Sequence, residues 1–178
     1  MIRRYRTVAA RLAVPALAAV LAGCASDNSP TLSQPSFYNN LAQPGTVLDA
    51  EAAASMISNY RANNGLGTLA LDPKLMRLAQ EQAQAMAARN KMDHDVAGAF
   101  KTRITRSGFD AKVAAENISA GYHTMAEAFS GWRESPHHRA NMLLKGASHM
   151  GIAAVYAPGT KYRVFWALIL AAPDEKRT

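Results

Sequence analysis

Met150-Gly-Ile-Ala-Ala-Val-Tyr156, Ala157-Pro-Gly-Thr160 and Tyr162-Arg-Val-Phe-Trp-Ala-Leu-Ile-Leu-Ala171 form one nearly continuous passage near the end of a 178-residue chain. Its flanks are apolar, with β-branched and aromatic residues, and its middle is a turn signal, so it reads as two β-strands in a hairpin. The second strand is apolar on both faces over its last half, which requires a sheet covered on both sides. The elements able to cover it lie upstream and read mostly as helices. Helices first and hairpin last point to an α+β domain with its sheet sandwiched between helices.

Upstream of the hairpin, Thr124-Met-Ala-Glu127 is a capping box, and Ala128, Phe129 and Trp132 form an apolar stripe before Pro136 ends the helix. These aromatics read as core. Phe100 to Ser107 is a shorter amphipathic segment closed by Gly108, a left-handed C′ candidate. Asp72-Pro73 supplies an N-cap and a first-turn proline, and Leu75, Leu78, Ala79, Gln82 and Met86 share one face through about Arg89. In Thr46-Val-Leu-Asp49 the chain resembles a capping box for a first helix, whose stripe of Leu48, Ala52, Ile57 and Tyr60 stops at Asn63-Asn64-Gly65.

The other end of the chain is a different kind of sequence. Arg3, Arg4, Arg6 and Arg11 precede and enter an uncharged run, Leu12 to Ala22, which closes on Gly23-Cys24. That is a basic region, a short apolar region and a small-residue cleavage site, the pattern of a secretory leader over residues 1–23. The run is short of the roughly 20 residues that span a bilayer, and Pro15 interrupts it, which argues against a permanent transmembrane helix. Leu21-Ala22-Gly23-Cys24 looks like a bacterial lipobox, so Cys24 is the expected lipidation site and the membrane an expected partner through the acyl chains. Ala25, rather than an aspartate, follows the cysteine; by resemblance to Gram-negative sorting rules this favours the outer membrane.

Cys24 is the chain's only cysteine, so no intramolecular disulfide can form and an apolar core must hold the fold. Residues 24–45, rich in Ser, Asn, Gln and Pro, read as the lipidated end and a flexible tether. Residues 46–174 then form one domain and 175–178 a tail. Removing the leader's four arginines from the 20 basic residues leaves 16 against 13 acids, a net charge of +3. The apparent basicity is thus largely a targeting signal, and a nucleic-acid role has no dense Lys/Arg stripe to rest on. Nothing in the sequence points to a protein partner.

Three stretches set titratable groups among apolar ones: Met92-Asp-His-Asp95, Ala115-Glu-Asn-Ile118 and Trp132-Arg-Glu-Ser-Pro-His-His-Arg-Ala-Asn-Met-Leu143. Their order, after a helix opening on Leu71-Asp-x-x-Leu75 and before a glycine-containing strand and a final aromatic strand, resembles the bacterial branch of the superfamily that holds cysteine-rich secretory proteins, antigen 5 and pathogenesis-related proteins. The Ser-Pro-x-His-Arg-x-Asn-Met-Leu run is its specific part. The resemblance implies a three-layer α-β-α sandwich with a small, mainly antiparallel sheet and an open cleft. Two histidines and two glutamates commonly project into that cleft; carried over, they give His94, Glu116 and His138. The second glutamate's position holds Ser135, and Glu134 lies one residue early, a turn of about 100° around a helix.

Ser135-Pro136 repeats the cap-and-proline device of Asp72-Pro73, so Ser135 reads as a cap and His138 as the third residue of a new helix. A helix N-terminus pushes an imidazole toward its neutral form, the form that binds metal or accepts a proton. His94, His138 and Glu116 would make a three-ligand divalent-metal site, zinc among the candidates, with an open position. Arg139 and Asn141 read as braces of a loop or the cleft wall. Glu116 reads equally as a ligand or as the partner of Arg139 or a backbone amide, and His123, His137 and His149 as surface or loop residues. Three functions follow: a binding module for a metal ion and a small lipid or envelope ligand; a metal-assisted hydrolase with Glu116 or Glu134 as base; or a structural envelope protein.

Overall fold

A computed structural model describes residues 33–174. The leader, Cys24, the first part of the tether and the four-residue tail lie outside the described residues. After a 3-10 turn at Ser36–Tyr38 come α1 (Ala50–Ala62), β1 (Ala70–Leu71), α2 (Pro73–Arg89), α3 (Phe100–Arg106), β2 (Ala111–Ala120), α4 (Met125–Glu134), α5 (Pro136–Met142), β3 (His149–Ala157) and β4 (Arg163–Pro173). The expected hairpin is β3–β4. The sheet runs β1-β3-β4-β2, antiparallel except for the short β1–β3 pair.

The period of two along β4 builds the three layers. Val164, Trp166, Leu168 and Leu170 face a core shared with Ala53 and Ile57 of α1, Met125, Ala128 and Trp132 of α4 and Met142 of α5. Phe165, Ala167, Ile169 and Ala171 face a second core with Leu75, Leu78, Ala79, Ala83 and Met86 of α2 and Ile104 of α3. This is the expected α-β-α sandwich. Trp132 is fully buried, its ring edge-on to Trp166 at 6.3 Å, so its reading as core holds. On the second face α2 lies so close to β3 that a Cβ at Gly151 would stand 2.1 Å from the Leu75 carbonyl carbon. Only a glycine permits that approach.

The caps follow the sequence with one shift. Asp72 accepts from the Lys74 and Leu75 amides, and Thr124 and Glu127 form the reciprocal capping box. Gly108 sits at φ +76°, as its C′ role requires. Helix α1, however, is capped by Asp49, which accepts from Ala52, and not by Thr46. Ser135 stands at the N-cap position of α5, but its hydroxyl makes no capping bond.

Two expectations need correction. The stretch read as tether is docked over its second half: Leu41 and Ala42 are 4% and 5% exposed, the Leu41 amide donates to the His123 carbonyl, and Arg163 donates to the Ala42 carbonyl. Two apolar residues suffice because backbone bonds to the domain accompany them. The ten-residue β2 was not anticipated at all. Its Ala-Lys-Val-Ala-Ala-Glu-Asn-Ile-Ser-Ala has weak strand propensity, and its pairing along β4 overrides that preference.

Candidate functional site

The edge strand β2 carries the site, and its alternation splits the site between the two layers. Glu116 pairs with Ile169 and Asn117 with Leu168, so the two side chains leave opposite faces of the sheet. On the α2/α3 side, the Glu116 side chain is 2% exposed. His94 Nδ1 lies 2.8 Å from its Oε1, and Arg103 Nη2 lies 2.8 Å from both oxygens. An ionised carboxylate only accepts, so Nδ1 carries the proton and the His94 ring is left half-exposed with Nε2 free of that bond. Arg103 in turn fixes the loop that carries His94: Nη2 donates to the His94 carbonyl at 3.0 Å and Nε to the Gly98 carbonyl at 2.7 Å.

On the other face, Asn117 Nδ2 donates to the His138 carbonyl at 2.9 Å. Asn141 Nδ2 donates to the Glu116 carbonyl at 3.1 Å and to Asn117 Oδ1 at 2.9 Å. Asn141 thereby clamps α5 to β2. The far end of α5 is held by Arg61, 1% exposed, which donates to the carbonyls of Met142, Leu144, Ala147 and Gly67. A guanidinium suits the free carbonyls at a helix C-terminus by charge and geometry.

The two imidazoles titrate in opposite directions. The hydrogen bond it donates to Glu116 raises the pKa of His94 above its ordinary value, against the opposing effects of desolvation and Arg103. Burial lowers that of His138, and the charges of His94 and His137 push the same way. His138 is thus biased toward its neutral form, by burial first and by neighbouring imidazoles second. His94 is held from the α2/α3 side of β2 by Glu116, and the His138 backbone is held from the other side by Asn117.

Several expected partners differ. Glu116 pairs with Arg103, not Arg139, which is exposed. Glu134 is 75% exposed beside Arg133 at 3.8 Å, as its offset of one residue implies. Among the described residues no three His, Cys, Asp or Glu side chains are gathered to hold a metal ion. The triad His94, Glu116, His138 is thus not a preformed three-ligand site, because Glu116 spends its oxygens on Arg103 and His94. His149 opens β3 half-buried, with Nδ1 at 2.9 Å from Ser148 Oγ and its ring against Phe109. It is less a surface residue than its sequence context suggested. Phe129, read as core, is only partly buried and helps to line an open groove of about 520 Å³ with Phe37, Met56, Tyr60, Asn63 and Arg133.

Sequence reasoning missed both Arg103 and Arg61. Each follows an apolar helical stripe: Arg61 continues Ala53, Ala54 and Ile57, and Arg103 sits between Phe100 and Ile104. A charged residue on a buried face is the signal that was available.

A model of the cysteine-rich secretory protein (CAP) family matches residues 54–170. The chain belongs to this family. The YkwD protein of Bacillus subtilis (strain 168) is 32% identical over 115 residues, 63% of this chain and 45% of its own. This CAP chain thus spans less than half of that relative. Among solved structures, an outer surface protein from Borrelia burgdorferi aligns over 71% of this chain and 93% of its own, with TM-score 0.64 and 18% identity. An extracellular protein containing an SCP domain from Bacillus anthracis aligns over 68% of this chain and 39% of its own, with TM-score 0.60 and 23% identity. At these identities the structural likenesses speak for the CAP fold alone.

Proposed function

We propose that this CAP domain is an exported, envelope-anchored binding module whose cleft presents His94 and His138 to a divalent metal ion and whose apolar groove takes a small lipid or envelope ligand. The observation that carries the reading is the His94 ring held through Nδ1 by a buried carboxylate that Arg103 already occupies. A carboxylate behind one imidazole nitrogen orients the other toward a metal, and outer-shell partners of this kind tune ligand basicity. The depressed His138 adds a second neutral imidazole. Ser135, Arg139 and Asn141 shape the surroundings of the cleft, with Asn141 fixing α5. Two imidazoles are fewer ligands than a structural zinc site uses, which suits an exchangeable ion with positions left for water or a bound molecule. Such an ion, when bound, supplies Lewis acidity.

Binding is favoured over hydrolysis because a general base must offer a free lone pair to the attacking water. Glu116 accepts from Arg103 and His94, and Glu134 lies out in solvent, so neither acid is placed for that task. The groove between the 3-10 turn, α1 and α4 has the size and apolar lining of a small-ligand site. Export is supported by the leader pattern ahead of Cys24. Anchoring at Cys24 and an outer-membrane address rest on Leu21-Ala22-Gly23-Cys24 and Ala25.

Calorimetric titration of zinc into wild type and His94→Ala/His138→Ala tests the metal reading. The expected outcome is loss of binding in the double variant with an unchanged circular dichroism spectrum. Equal affinity in the two proteins would contradict it.

A further inference from the structure

Arg103 has a second side that the cleft does not use. Of its five N–H donors, those on Nε and Nη2 are engaged by Gly98, His94 and Glu116, while Nη1, on a residue only 3% exposed, meets no acceptor. A buried guanidinium nitrogen left with two unmatched donors is a rare and costly arrangement, and it calls for a ligand or water. Arg103 also forms part of the wall of a pocket of about 390 Å³ between α2 and α3. Lys74 and Arg77 enter from the first turns of α2, and Arg106 from the end of α3, with Glu81 the one acid among the lining residues. Lys74 is tied to the Gly108 carbonyl at 2.6 Å, which holds one cation in place. Neither Arg77 nor Arg106 has a carboxylate within ion-pair distance among the described residues. With Arg103 balanced by Glu116, the pocket keeps a net charge of about +2 from Lys74, Arg77 and Arg106 against Glu81.

We propose that this pocket is a phosphate-binding site, in which Arg103 Nη1 is the buried floor donor and Arg77, Arg106 and Lys74 close around the anion. Phosphate is the class of ligand that matches several convergent guanidinium forks, since each fork gives two parallel donors to its oxygens. The same chemistry is offered by free inorganic phosphate and by the phosphodiester of a lipid headgroup. The site is distinct from the two-histidine cleft and requires no metal.

Calorimetry on the full-length protein at low ionic strength tests the proposal with two probes, inorganic phosphate and dimethyl phosphate. Saturable binding of either is expected, weakened about tenfold or more in Arg77→Gln/Arg106→Gln, which leaves the buried Arg103–Glu116 pair intact. Lys161→Gln, a charge change elsewhere on the surface, is expected to leave binding unchanged. Binding of inorganic phosphate alone assigns the site to the free ion, and comparable binding of the diester assigns it to a headgroup. No saturable heat with either probe, or equal affinity in wild type and the Arg77/Arg106 variant, would overturn the proposal.

Discussion

Glu116 sits 5% exposed on an edge strand and joins two residues of opposite exposure: Arg103, which is buried, and His94, which is half in solvent. That pairing makes a pH signature. Because the His94 pKa is raised, the native state holds its proton more tightly than the unfolded chain. The stability it contributes is complete below the ordinary histidine value of about 6.5 and is lost as pH rises through the raised value. His138 has the opposite sign: its lowered pKa costs stability as pH falls from the ordinary value toward the lowered one. In an NMR titration His94 is expected to show a midpoint above 6.5 and His138 one below it, and Glu116→Gln should move the His94 midpoint down. Coincident midpoints, or no response to Glu116→Gln, would contradict this reading. The sequence singled out His94 and Glu116, which the structure joins by a hydrogen bond, and His138, which it holds through its carbonyl on the other face of β2. It did not make legible that Glu116 acts through His94, because the amphipathic stripe of α3 can flag Arg103 as buried but not name Glu116 as its partner across the packed α3 and β2.

At the scale of elements, Arg103 is the tie between α3, the loop carrying His94 and the edge strand β2. Arg103→Met leaves Glu116 buried with only His94 for a partner, and removing one member of a buried ion pair costs about 3–5 kcal/mol. Denaturant unfolding of Arg103→Met should show a loss of that order, and Arg103→Met/Glu116→Met should recover a large part of it. A double variant no more stable than the single one would mean the carboxylate is not what Arg103 satisfies. The helices were legible because caps and apolar stripes are local signals: Asp72-Pro73, Thr124 with Glu127, and Leu75 to Met86 all stand where the sequence placed them. Strand β2 was not, since its ladder with β4 depends on partners some fifty residues away and its alanines carry little strand preference of their own. The docking of Leu41 and Ala42 escaped for the same reason: they are one short apolar pair between Asn40 and Gln43, with partners distant in the chain.

The whole molecule follows from β4, which is apolar on both faces and so demands a layer on each side. That demand, together with the ordered run of motifs, made the α-β-α sandwich readable from the sequence, while the basic groove between α2 and α3 needed the packed helices to exist. The proposed envelope anchor is a separate matter, resting on Leu21 to Ala25 ahead of the domain. Metabolic palmitate labelling is expected to mark the wild-type chain and not Cys24→Ala; equal labelling would remove the anchor from the account. The central claim, that imidazoles from two layers meet around the β2 edge, has one most direct measurement: anomalous diffraction from a zinc-soaked crystal of the protein. The account predicts a peak bound by His94 Nε2 and a His138 ring nitrogen, with Glu116 still on His94 Nδ1; a peak elsewhere, or none between the two rings, would contradict it.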